Sequence, residues 1–159
     1  MDNTAAEIIN IMREKKLTLG TAESATGGLI AHMITNVPGS SDVFQGSIVC
    51  YSNQIKIKIV GVKEATLQES GAVSGQVARA MAKRGRKVLG VDICVADTGI
   101  AGPGGATPGK PVGLFYLGLS HKDGTFTQKH IFKGTREENK QQAAQTALML
   151  VREYLDNLR

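Results

Sequence analysis

The sequence predicts an α/β fold of three layers, with helices on both faces of a mostly parallel mixed sheet. Helical and strand-like segments alternate along nearly the whole chain, with no linker, internal repeat or low-complexity stretch. Residues 91–96, apolar but for Asp92, form a run bounded by Gly90 and Gly99, as in a strand buried on both faces. Asp123-Gly124 separates two β-rich segments and is a strong hairpin signal, so the last two strands run antiparallel and a single reversed strand lies near one edge.

The first element is a helix over 4–16, in which Ile8, Ile11 and Met12 recur at helical spacing and Thr4 with Glu7 has the form of a capping box. Residues 17–21 follow as a short strand, and 28–35 as a buried helix ended by Pro38 and Gly39. Ser24 therefore lies at a strand-to-helix turn. Residues 43–51 are β-rich, and Ser52-Asn53 then caps a short helix through Ile59 that carries Lys56. Ser74 caps a longer helix to Leu89, whose spacing of Val77, Ala80, Met81, Arg84 and Val88 sets it against the sheet. After the buried strand come strands over 112–119 and 125–132. Thr135 and Glu138 form a second capping box, which opens a long helix through Ala143, Ala147, Leu148, Val151 and Leu155.

A chain of 159 residues, 42% hydrophobic and 21% charged, has the length and composition of one packed domain, residues 1–159. No apolar run nears the roughly 20 residues that span a bilayer. The N-terminal region, with Asp2 and Glu7, lacks the basic-then-apolar pattern of a signal peptide. The expected location is the cytoplasm, with no membrane partner. Cys50 and Cys94 lie in apolar strand-like runs without His or Cys neighbours at ligand spacing, which predicts reduced core thiols, no metal and no cofactor. The net charge of +5 raises nucleic acid as a partner. However, its densest cluster, Lys83, Arg84, Arg86 and Lys87, falls at a predicted helix end where the dipole favours cations, and aromatics at 4% offer few surfaces for base stacking. A phosphorylated small molecule fits the charge better.

Three polar turns, two of them glycine-bearing, follow predicted strands, where open α/β sheets bind ligands. Thr21-Ala22-Glu23-Ser24-Ala25-Thr26-Gly27-Gly28 reads either as a helix cap or as a tight turn presenting the Ser24 hydroxyl beside helix N–H groups. His32, His121 and His130 complete no Ser-His-Asp set, so a serine nucleophile needs another base. Burial can lower a lysine toward that role. Lys56 and Lys58, after Tyr51-Ser52-Asn53, read either as that base or as solvent-facing residues on a short helix. The turn from Thr98 through Gly99, Ile100, Ala101 and Gly102 to Pro103-Gly104-Gly105 reads as a nest of N–H donors or as a flexible loop.

Taken together, AESATGG at 22–28, YSNQIK at 51–56, TGIAGPGG at 98–105 and KPVG at 110–113 closely resemble the C-terminal domain of the CinA family. PGSS at 38–41 and GAVS at 71–74 extend the likeness over nearly the whole chain, which looks like the stand-alone form. The resemblance implies an anticodon-binding-domain-like α/β/α fold, hydrolysis of nicotinamide mononucleotide to nicotinate mononucleotide and ammonia, no cofactor, and a homodimer or larger assembly. It places the nucleophile on Ser24, the general base on Lys56 and an assisting tyrosine on Tyr51. Substrate contacts fall on Glu23, Thr26, Gly27, Thr98, Gly99, Ala101 and Gly102, with Arg136 matching an arginine before the last helix. Backbone N–H groups after Ser24 are the expected oxyanion donors. Three departures from the family stand out: Ala25 where many relatives carry cysteine, Asp97 at a strand end that is usually apolar, and Thr135 and Lys140 in place of aspartate and arginine. A buried carboxylate at Asp97 would need a partner.

Overall fold

The computed structural model describes residues 2–158. In chain order these form α1 (Thr4–Lys15), β1 (Leu19–Glu23), α2 (Leu29–Thr35), β2 (Phe44–Val49) and α3 (Asn53–Ile55), which continues as a π-helical turn (Lys56–Val60). There follow α4 (Glu64–Ser70), α5 (Gly75–Leu89), β3 (Ile93–Gly99), β4 (Leu114–His121), β5 (Gly124–Ile131) and α6 (Arg136–Asp156). The strands make one sheet in the order β2-β1-β3-β4-β5. β1 pairs parallel with β2 and β3, whereas β4 is antiparallel to both β3 and β5, so β4 is the single reversed strand that the Asp123-Gly124 hairpin requires.

Alternation along the strands sends side chains to two cores. On one face Ile8, Ile9 and Met12 of α1, Ile30 and Ile34 of α2, and Ala147, Leu148 and Val151 of α6 pack over Leu19, Ile93, Val95, Leu117 and Leu119. On the other, Val77, Met81 and Ala82 of α5, with Val60, Val62 and Leu67, cover Ala22, Cys94 and Ala96. The three layers are therefore as the sequence predicts. α5 lies close to the sheet because two positions lack side chains: Gly85 of α5, against Ala22 and Cys94 of β1 and β3, and Gly118 of β4, against Ala78 and Ala82 of α5. A Cβ on Gly118 would sit 2.5 Å from the Ala78 carbonyl oxygen.

Local readings at the start of the chain need correction. Thr4 is the first helical residue rather than the cap, because the Asp2 carboxylate accepts from both its N–H (2.8 Å) and its hydroxyl (2.5 Å). Glu7 is drawn away to Arg152 of α6, 2.8 Å from its guanidinium. The first strand begins two residues later than expected. Lys16, in the left-handed region at φ 57°, caps α1, and the Leu17 N–H still bonds back to the Met12 carbonyl. That shift brings Glu23 into β1. The second capping box is present, with Thr135 and Glu138 reciprocally bonded. Helix α4 was not foreseen, since Leu67 is its one buried residue. Cys50 and Cys94 are buried and unpaired. Among the described residues no cluster of metal-binding side chains occurs, and no helix is long and apolar enough to cross a membrane.

Candidate active site

Two carboxylates beneath the first turn shape it. Glu23, the last residue of β1, is fully buried and gathers the N–H groups of Gly28, Ile30 and Ala31 at 2.9–3.1 Å, which ties the start of α2 down to the sheet. Asp97, near the end of β3, is also fully buried and accepts from the N–H groups of Ser24 and Thr26, each at 3.1 Å. These are the partners that a carboxylate at this position requires. The Thr26 hydroxyl lies between the two acids, 2.7 Å from Glu23 and 2.5 Å from Asp97. One hydroxyl proton can serve only one of these short contacts, so the second calls for a proton on a carboxyl group. Burial, with the neighbouring charge of Glu23 adding to it, pushes the Asp97 carboxyl up to about 6, which makes Asp97 the natural holder of that proton.

The turn so clamped presents Ser24 to Lys56. Lys56 opens the π-helical turn and is only 1% exposed. Its Nζ lies 2.9 Å from the Ser24 Oγ and 3.0 Å from the carbonyl oxygens of both Cys50 and Tyr51. A neutral amine has two hydrogens and one lone pair. Protonated, the amine donates to all three oxygens; neutral, it gives its two hydrogens to the carbonyls, which leaves the lone pair for the serine hydroxyl. Burial lowers the Lys56 pKa from its ordinary 10.5, against the opposing influence of Cys50 and Asp97. Of the amides in the turn, those of Ser24 and Thr26 are held by Asp97, Gly27 bonds to the Ser24 carbonyl and Gly28 to Glu23. Only the Ala25 N–H has no acceptor among the described residues, so one oxyanion donor remains where several were expected.

Ser24, Lys56 and the glycine-rich loop line one cavity of about 320 Å³ at the C-terminal ends of β1 and β3, together with Tyr51, Thr98, Gly99, Ala101, Gly102 and Arg136. Thr98 is buried and donates its hydroxyl to the Ala72 carbonyl at 2.7 Å, so it anchors the neighbouring wall. The N–H groups of Ala101, Gly102, Gly104 and Gly105 have no protein acceptor among the described residues. Arg136, the first residue of α6, donates to the Gly102 carbonyl (2.7 Å) and to the Tyr51 hydroxyl (3.3 Å), which leaves three of its five N–H donors unspent. Tyr51 is 61% exposed, and its side chain thus meets Arg136 while its carbonyl holds Lys56.

Three expected substrate contacts do not line the cavity. Glu23 and Thr26 lie beneath its floor with their polar atoms committed to the turn, and Gly27 faces solvent beside the Lys140 amine. Asn53, Ala72 and Val73 line it without having been picked out as site residues, and Gly104 and Gly105 line it as part of the glycine-rich turn. So does, indirectly, Asn139: fully buried in α6, its amide donates to the Ala101 carbonyl at 3.0 Å and binds both polar groups of Gly134. Its one sequence signal is a polar side chain four residues before Ala143 on the inward stripe. Thr135, one of the departures, is spent on capping α6.

The chain matches the family described as the CinA C-terminal domain over residues 1–155. It is 48% identical over 150 residues to a CinA-like protein of Leptospira borgpetersenii and 44% identical over 148 residues to one of Thermotoga neapolitana. The match covers 94% and 93% of this chain respectively but 36% of each relative, so the chain spans about a third of their length. Among solved structures, the competence/damage inducible protein CihA of Agrobacterium tumefaciens superposes with a TM-score of 0.93 at 37% identity, over 97% of this chain and 94% of that one. The competence damage-inducible protein A of Klebsiella pneumoniae superposes with a TM-score of 0.95 at 27% identity, over 99% and 98%. With the family match, the relatives and the fold in agreement, this chain belongs to the CinA C-terminal domain family.

Proposed function

We propose that residues 1–159 form an amidohydrolase domain that converts nicotinamide mononucleotide to nicotinate mononucleotide and ammonia. The observation that carries this reading is the buried Lys56 amine 2.9 Å from the Ser24 hydroxyl, with its other contacts going to two carbonyls and no carboxylate. Neutral Lys56 takes the hydroxyl proton as the Ser24 Oγ attacks the carboxamide carbon. The Ala25 N–H, which has no acceptor among the described residues, is the turn donor left for the developing oxyanion, a contribution typically worth about 3 kcal/mol per donor. Collapse breaks the C–N bond, and Lys56 returns the proton to the leaving nitrogen, which departs as ammonia. Water then gives a proton to Lys56 and attacks the ester. The second collapse restores the serine hydroxyl and releases the carboxylate.

The unpartnered amides of the glycine-rich loop and the spare donors of Arg136 suit the 5′-phosphate. Tyr51, bridged to Arg136, forms the outer wall. Two buried thiols and a nucleotide substrate fit a cytoplasmic protein, and assembly into homo-oligomers is part of the same proposal. The test is ammonia release from nicotinamide mononucleotide, nicotinamide riboside and nicotinamide. Turnover confined to the phosphorylated compound is expected. No ammonia from it would overturn the reading, and equal turnover of all three would remove the phosphate site.

A further inference from the structure

At the opposite end of the sheet, α5 and the β4–β5 turn enclose a second cavity, of about 570 Å³, that the amidase chemistry does not use. Five cations line it: Arg79, Lys83, Arg86 and Lys87 from α5 and Lys122 from the turn. The four on the helix recur at i, i+4, i+7 and i+8, so they form one stripe. α5 contains no Asp or Glu. None of the five makes an ion pair among the described residues, and Asp123 is the one acid in the lining. The helix dipole accounts for Arg86 and Lys87 in the last turn, but not for Arg79 and Lys83, which stand outside it. Two of the guanidiniums are held in place. Arg79 donates to the Thr125 carbonyl at 2.6 Å and Arg86 to the Asp92 carbonyl at 2.9 Å, with other N–H donors of each left unspent.

We propose that this groove binds a linear polyphosphate group, the di- or triphosphate of a small molecule. Arg79 and Lys87 are eight residues apart, roughly 12 Å along the helix. A single phosphate cannot reach both ends, whereas a chain of phosphates engages the whole stripe. Nucleic acid fits less well, because the lining offers no free aromatic face for a base. Its one ring, His121, is already stacked on Tyr154 at 4.1 Å.

The experiment is calorimetric titration of the wild-type protein at low and high salt with tripolyphosphate, a nucleoside triphosphate, orthophosphate and a short single-stranded RNA. Tripolyphosphate and the nucleoside triphosphate should bind at least tenfold more tightly than orthophosphate, and more weakly as salt rises. Equal affinity for the two would mean that the phosphate chain alone is recognised, and tighter binding of the nucleotide that the whole small molecule is; either supports the proposal. Lys83→Glu with Lys87→Glu should cost tenfold or more, while Lys129→Glu, outside the groove, should change affinity less than twofold. Should the double variant not fold, amide chemical shifts of the wild type give the same answer, moving at 83–87 and 120–125 on tripolyphosphate addition. Failure of tripolyphosphate to bind, orthophosphate binding as tightly, equal loss in the control, or tighter binding of RNA would each overturn the proposal. None of these residues touches the Ser24 cavity, so the amidase assay is read independently.

Discussion

At the residue scale, the site depends on a lysine that must be neutral to work. Activity should rise with pH along a limb set by Lys56, below the ordinary lysine value of 10.5 because burial lowers it. Ser24→Ala and Lys56→Ala should each abolish ammonia release nearly as completely as the double variant, since residues acting as one unit lose activity non-additively. Near wild-type turnover in Ser24→Ala would leave that serine a helix cap and no more. Asp97 affects stability in its own right. Its folded-state value, about 6, lies above its ordinary 3.8, so the folded protein binds the proton more tightly between those values. The stability this contributes is present on the acid side and lost as pH rises through about 6, a change of about 3 kcal/mol at most. Urea unfolding of the wild type should therefore show a decline across that window, and Asp97→Asn should flatten it.

At the scale of elements, the close approach of α5 to the sheet sets a strict limit on side-chain size. Gly118→Ala would drive a methyl group against the Ala78 carbonyl, so a loss of about 1–3 kcal/mol is expected in chemical denaturation, with ammonia release per folded molecule unchanged. The same elements explain what the sequence reveals and conceals. Ser24 and Lys56 are legible as candidates because strand exits carry recognisable turn chemistry, whereas Arg136 is legible only through the family resemblance. Glu23 falls outside the strand predicted over 17–21, so its place at the end of β1, feeding α2 with acceptors, is not legible, and the substrate contact that the resemblance implies for it has no counterpart in the cavity lining. Asn139 is concealed for a different reason. A polar side chain on a helix reads as solvent-facing until the glycine-rich loop it binds has been folded over it. Helix α4 leaves almost no periodic trace because one leucine is all that it buries.

For the whole molecule, the two cores on either side of the sheet hold the fold together without covalent links. Burial pushes the Cys50 and Cys94 thiols up to about 11 and about 12, which keeps both protonated and inert at neutral pH. Melting temperatures measured with and without a reducing agent should coincide, and a drop on reduction would reveal a disulfide that the fold does not call for. The three-layer order was legible from alternation alone, and the reversed strand from a single Asp-Gly pair. The second cavity was not, because α5 and the β4–β5 turn that form it are distant in sequence.

The acceptors around the Lys56 amine, a hydroxyl and two carbonyls, are all uncharged, and this sets proton affinity against substrate capture. Any anion that enters the cavity tightens the hold of the amine on its proton, so the event that fills the site also tends to disarm it. Seating the phosphate among neutral amides, with Arg136 to balance its charge, limits that antagonism. A trace of it should persist, so that raising the pH increases kcat and KM together.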